Sequence, residues 1–339
     1  MIHRLIALFA MTAAASSACG QPDPTAGKAT VGDLPPAIVK TLEALGASSG
    51  VPDGLGASWE PSRPVSGQLA SLSLFNAQAG LTLPVWTSVD EGVFATAAAR
   101  GLFASGGAVF PDTRTPFPNS LWDLQAGGAY VQQVAEGNSW GVCLVGGSAS
   151  DRPFHTIHEA TIAGLVFWRS QTDANNAWLI YVVSTTNGQI GQNIPIPGAA
   201  YEFHSDELDG IIGLPFLSLT YRPTEVLQFD LNYTAITDVR VRASLRVAEA
   251  VRLFGGFSWE SETWRLADRR DHREQLFWFE KRAEGGLVWH LQEHFDFVLT
   301  GGYAFDRYFL ESRSFTLTGH NHLALAPGPF VALQLDIRY

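Results

Sequence analysis

An all-β fold, a transmembrane antiparallel up-and-down barrel of about fourteen strands with twelve as the alternative count, is predicted by three observations. Side chains alternate apolar and polar through most of the chain after Ser66. The alternating segments run for about ten to fifteen residues, longer than ordinary globular strands and long enough to cross a bilayer at a tilt. Long connections take turns with short ones, as outer loops and periplasmic turns do in such barrels.

Composition narrows the class. Of 339 residues, 46% are hydrophobic and 16% charged, where a soluble domain carries about 25% charge. Mean hydropathy is only +0.06, and no apolar run beyond the first twenty residues nears the roughly 18 of a spanning helix. A helical membrane protein is excluded. The net charge is −11 and basic residues are scattered, so there is no footprint for nucleic acid. The 33 glycines have no three-residue period and aromatics reach 12%, which excludes collagen-like and disordered classes.

Taken in order, residues 1–18 read as a secretory signal: Arg4 supplies the charge, Leu5 to Ala15 the apolar stretch, and Ser16 and Ala18 the small residues before a cut. Cleavage ahead of Cys19 and lipidation of Cys19 both stay open. Residues 19–65, rich in Pro, Gly, Ala and Ser, read as a flexible periplasmic linker with one short helical pattern from Ile38 to Leu45. The only other thiol is Cys143, so no disulfide framework or cysteine-built zinc site is expected.

Residues 66–339 read as the barrel. The segments lie near 67–77, 79–87, 91–103, 119–132, 137–148, 158–170, 175–185, 212–221, 224–233, 238–247, 249–260, 273–291, 294–310 and 328–339. Two are especially clear. Leu227, Phe229, Leu231 and Tyr233 share one face against Gln228, Asp230 and Asn232, and Val239, Val241, Ala243, Leu245 and Val247 oppose Arg240, Arg242, Ser244 and Arg246. The long connections are 104–118, 149–157, 186–211, 261–272 and 311–327, while the gaps at 78 and 234–237 are shorter than the scheme wants. An even strand count puts both termini at the periplasmic end.

The chain ends on an unbroken apolar face, Val331, Leu333, Leu335, Ile337 and Tyr339. This resembles the C-terminal strand signal of bacterial outer-membrane barrels, which implies insertion by the barrel-assembly machinery. More widely, residues from about 67 to 339 resemble an uncharacterised, domain-of-unknown-function family of outer-membrane-type barrels. The resemblance runs through Leu121-Trp122-Asp123-Leu124, Ser150-Asp151-Arg152, Gly213-Leu214-Pro215-Phe216, Tyr221-Arg222-Pro223, Asp271-His272-Arg273-Glu274 and Gly302-Tyr303-Ala304-Phe305-Asp306-Arg307. It implies a fold and an outer-membrane address, and no ligand.

Inward faces of the later strands supply Asp230, Arg240, Arg242, Arg246, Arg252, Glu260, Glu280, Arg282, Glu284, Asp296, Asp306, Asp336 and Arg338. An Arg at the lipid midplane costs about 2–4 kcal/mol, so these charges are expected to line a polar lumen. Trp140, Trp168, Trp178, Trp259, Trp289 and Tyr339 are expected at the lipid boundary. An outer-loop basic cluster, Arg265, Arg269, Arg270 and Arg273, has the chemistry to meet lipopolysaccharide phosphates. Asp268, Asp271 and His272 in that connection make only a weak catalytic motif, and His204-Ser205 point apart on a strand. His320 and His322 share a strand face without an identifiable third metal ligand, and His155 and His158 read as a polar loop. No phosphate-cradling loop, dinucleotide fingerprint or calcium loop is present. No enzyme activity, metal or cofactor is expected.

Two functional readings remain. One is a narrow passive pore for small polar solutes, filtered by the charged lumen. The other is a plugged structural or surface-binding barrel, closed by Arg–carboxylate pairs, whose outer loops meet envelope lipids or partners.

Overall fold

The computed structural model describes residues 53–339 except 136, 189–192, 235–237, 270, 293, 315–318 and 338–339. The expected signal, Cys19, the helical pattern at Ile38 to Leu45, Arg270, Arg338 and Tyr339 lie outside the described residues. The chain forms strands β1 (Gly54–Pro64), β2 (Ser71–Thr87), β3 (Glu91–Ser105), β4 (Ser120–Ala135), β5 (Asn138–Ser150), β6 (Ala160–Gln171), β7 (Asn176–Thr185), β8 (Ile196–His204) and β9 (Leu208–Leu214). There follow β10 (Phe216–Tyr221), β11 (Leu227–Thr234), β12 (Asp238–Ala248), β13 (Val251–Trp264), β14 (Gln275–Gln292), β15 (Phe295–Ser312), β16 (His320–Leu325) and β17 (Gly328–Ile337). Each strand from β1 to β15 pairs antiparallel with the next, and β17 pairs with β1, which closes the sheet into a barrel. Both β16 and β17 pair with β15, one above the other. They form a single stave interrupted at Ala326-Pro327, and the barrel has sixteen staves.

The sequence expectation of fourteen is corrected by four local features. The two segments at 67–77 and 79–87 are one strand, β2, and the segment at 212–221 is the hairpin β9–β10, which turns at Pro215. Strand β1 lies in what reads as linker, because Gly54 to Pro64 is punctuated by Gly and Pro. Strand β8, with Pro197 and Gly198 in it, was hidden in the long connection 186–211. The alternation of connections holds. Turns at the end that carries Gly54 and Ile337, the terminal end, are short, and the other end carries the long connections, with 215 and 235–237 as exceptions.

Residues of one parity face outward. On β6 and β7 these are Ile162, Val166, Trp168, Trp178, Ile180 and Val182, all exposed, and on the closing stave Val331 and Leu333. Aromatic side chains collect at two levels on this surface. Near the terminal end lie Trp86, Tyr130, Trp140, Trp168, Trp178, Tyr201, Tyr221 and Trp289. Nearer the other end, Phe75, Phe103 and Trp122 follow one another across β2, β3 and β4, with centroids 6.2 and 5.1 Å apart, and Trp259 lies on β13. Trp122 and Tyr130 are eight positions apart on β4. At about 3.4 Å per residue and a tilt of roughly 40°, that is about 20 Å of height, close to the apolar band of a membrane barrel.

The walls differ in height. Strands β14 and β15 have 18 residues each, whereas β8, β9 and β10 have 9, 7 and 6. Above the short staves the two tall walls meet. Ser150 at the end of β5 bridges in parallel to Arg265 beyond β13, with Arg265 N–H donating to Ala149 O at 2.9 Å. The upper part of the barrel is therefore a neck formed by β1–β5 and β13–β16. Glycine permits the sharp curvature this needs. A Cβ on inward-facing Gly147 would stand 1.9 Å from Leu124 O, and one on Gly256 would stand 2.4 Å from Val241 O.

Candidate functional site

The neck is filled. Leu72 and Leu74 of β2, Leu102 of β3, Leu121 of β4 and Ala149 of β5 pack against Trp264 of β13, Trp278 of β14, Phe309 of β15 and Leu323 of β16. Connection 106–119 folds inward and inserts Phe110 and Phe117, the latter 4.6 Å from Phe309. Side chains from opposite walls thus share one dry core, where sixteen staves ordinarily leave an aqueous channel. Polar ties hold the inserted connection. Asn321, buried and at φ 54, accepts from Asp112 N at 3.0 Å and Thr113 N at 3.1 Å, and its own N–H donates to Asp112 at 2.6 Å. Gln68 binds both backbone groups of Val109, at 2.7 and 3.1 Å.

Beneath the core lies a ring of buried charge. Arg307 of β15 pairs with Glu60 of β1 and approaches Glu280 of β14 at 3.6 Å, and Arg282 of β14 pairs with Glu60 at 3.1 Å and also with Glu280. Arg307 and Glu60 are wholly inaccessible. Two cations and two carboxylates balance, as charges removed from water must. Strands β1 and β14 are not neighbours, so these contacts run through the interior. The same holds for Arg100 of β3 and Glu262 of β13, 2.5 Å apart.

Below the ring the lumen widens and takes in solvent. Arg240 and Glu260 pair at 2.8 Å deep within the barrel yet keep 50% and 31% of their side-chain surface accessible, as groups lining a water-accessible cavity do. Arg242 reaches Glu284 at 3.4 Å over the bare backbone of Gly256, which stands between them in register, and its guanidinium lies 4.0 Å from the Phe254 ring. Asp230 is held by Thr220 and Gln228. The opposite wall carries an apolar cluster on its inner face, Phe94, Leu165, Phe167, Leu179, Tyr181 and Ile211, with the Arg169–Glu202 pair set beside it at 2.9 Å.

Of the expected lumen residues, Asp230, Arg240, Arg242, Arg246, Arg252, Glu260, Glu280, Arg282, Glu284, Asp296 and Asp336 have inward parity. Asp306 does not. A bulge opposite Glu280 breaks the alternation of β15, and Asp306, at φ 48, turns outward to pair with Lys281 while Arg307 turns in. Sequence reasoning missed Glu60, because β1 read as linker, and Arg307, because strict alternation put it on the lipid face. Arg100, Asp123 and Glu262 sit on inward positions that alternation identifies, on strands where the pattern is mostly small residues.

The expected basic cluster is dispersed. Arg265 donates to His158 O and Thr186 O, Arg269 pairs with buried Glu311 and stacks 5.2 Å over Phe110, and Arg273 is exposed. Asp268 pairs with Arg152, Asp271 with Arg313 at 2.5 Å, and His272 stacks on His158 at 3.8 Å, so these three side chains turn to three different partners. The backbone N–H of Arg273, and with it the Arg313 guanidinium, holds the Asp271 carboxyl below its ordinary range. His322 stacks on Tyr308, whereas His320 lies 3.4 Å from Glu311 and 3.7 Å from Glu274. Those three donors fall within 4.8 Å of one another, but Glu311 is already engaged by Arg269 and Asn321. His204 and Arg222 both bind Asp209 at the terminal rim.

Among solved structures the chain is similar to the deltaS2 mutant of the TodX monoaromatic hydrocarbon channel, at TM-score 0.37 and 9% identity over 87% of this chain and 93% of that one. It is similar also to the β domain of the Bordetella autotransporter BrkA, at TM-score 0.28 and 9% identity over 84% of this chain and 98% of that one. No protein-family model and no curated protein matches, so the family resemblance rests on its motifs alone.

Proposed function

We propose that this protein is an outer-membrane barrel that is closed at rest: a lipid-embedded scaffold whose neck is plugged and whose vestibule opens toward the periplasm. The observation that carries the reading is the apolar core shared by opposite walls of the neck, with the Glu60–Arg307–Glu280–Arg282 ring beneath it. The two aromatic levels about 20 Å apart and the exposed apolar band between them support residence in a bilayer. The outer membrane follows from the signal-like N-terminus and the C-terminal strand pattern, the latter proposed to be read by the barrel-assembly machinery.

A second reading, passage of small polar solutes through a neck that opens transiently, is favoured by the accessible Arg240–Glu260 belt, which a purely structural plug does not need. Planar-bilayer recording separates the two. Wild-type protein is expected to show no steady conductance, and the Phe110→Ala/Phe117→Ala double variant, which empties part of the plug, is expected to show channel events. Steady ohmic conductance from the wild type overturns the closed state. Brief openings from it support the second reading.

A further inference from the structure

At the terminal end, strands β10 to β13 enclose a cavity of about 340 Å³ between the turn after β8 and the turn after β10. Arg222, Arg246, Arg252 and Gln228 line it, with the carboxylates of Asp206 and Glu225 also contributing. Arg246 and Arg252 stand directly opposite each other in the β12–β13 register. Like charges so placed destabilise a strand pair, no ion pair joins either arginine to the lining acids Asp206 and Glu225, and the two acids further in are held by other groups. Asp209 is bound by Arg222 and His204, and Asp230 by Thr220 and Gln228. Arg252 donates to the neutral Gln228 amide at 2.8 Å, and its buried Nε has no hydrogen-bond partner.

We infer that this cavity is a binding site for a small oxyanion, a phosphate or carboxylate group held between the guanidinium groups of Arg246 and Arg252, which leave neighbouring strands side by side on the inward face. Each fork offers parallel N–H donors that match two oxygens of such a group, and the anion converts the repulsion of the two cations into attraction. Gln228 orients Arg252, and Arg222, paired with Asp209, stands at the rim. Above the site Arg242 and Arg240 continue along the same face of β12, so a captured anion meets further positive charge in the vestibule. The inference does not depend on whether the neck opens, because the cavity lies at the terminal mouth.

Calorimetry on the full chain in detergent, with inorganic phosphate as the probe, tests it, and nanodiscs with and without phosphatidylglycerol distinguish a free solute from a lipid headgroup. Phosphate binding that weakens at least tenfold in Arg246→Gln, weakens with added salt and is unchanged in Arg273→Gln supports a solute site. Saturable binding only to phosphatidylglycerol nanodiscs, lost in Arg246→Gln, supports the same site with a lipid headgroup as its source. Because Arg246 is exposed, its replacement leaves the fold intact; Arg252→Gln is the second variant. Absence of binding to both probes, or binding that neither variant weakens, overturns the inference.

Discussion

Arg307 illustrates how one residue can hold the interior together. Its side chain is inaccessible, lies between Glu60 and Glu280, and has the Trp278 ring 5.9 Å from its guanidinium. Charge buried this deeply is tolerated only in company, and removal of one partner leaves the others uncompensated. Arg307→Met is therefore expected to cost about 3–5 kcal/mol, read as a lowered urea midpoint for the barrel in detergent. Glu60→Gln added to Arg307→Met is expected to recover part of the loss, because it removes a carboxylate the first change has stranded. Equal losses in the single and double variants would show that the ring does not act as a unit.

The inserted connection 106–119 is an element held by a few polar ties, of which Asn321 makes the most. Asn321 occupies a left-handed conformation that suits Asn and Gly, and its amide binds the backbone at Asp112 and Thr113. Asn321→Gly keeps the backbone and loses those bonds, whereas Asn321→Ala loses both. Limited proteolysis within 106–119 is expected to speed up in Asn321→Gly and further in Asn321→Ala. Equal cleavage of all three proteins would place the plug's anchorage in Phe110, Phe117 and the Gln68 tie to Val109. At this scale the sequence is unevenly legible. Strands β11, β12 and β17, with one face against lipid and one against charge, announce themselves by alternation. Strands β6 and β7 carry apolar side chains on both faces, so length and punctuation carry more of the signal there. Strands β1 and β8 are punctuated by Gly and Pro, and read as linker and loop. Nothing local marks Phe110 and Phe117 as lumen-filling, because insertion depends on walls more than 140 residues further along the chain.

Across the whole molecule the two faces of the sheet divide the solvent. The lower barrel has hydrocarbon-compatible side chains outside and, along β11 to β15, charge inside. The neck has a core like that of two stacked sheets, formed where the tall walls converge above the short staves β8–β10. On the proposed reading such a molecule sits at a fixed depth set by its aromatic levels. Trp289 lies near the terminal end of β14, and Trp259 stands opposite Lys281 on the same strand pair, eight positions along β14 from Trp289. In vesicles with bromine at stepped positions along the acyl chains, variants retaining only Trp289 or only Trp259 are both expected to be quenched most by bromine near the headgroups. A variant with a single Trp at position 255, midway between them, is expected to be quenched most by bromine near the bilayer centre. Gly255 is the residue to replace, since it is outward and exposed and a Cβ there meets only Glu284 O, at 3.9 Å. Were all three quenched alike, the exposed apolar band would not be a membrane band, and the separation of lipid from lumen would fail with it.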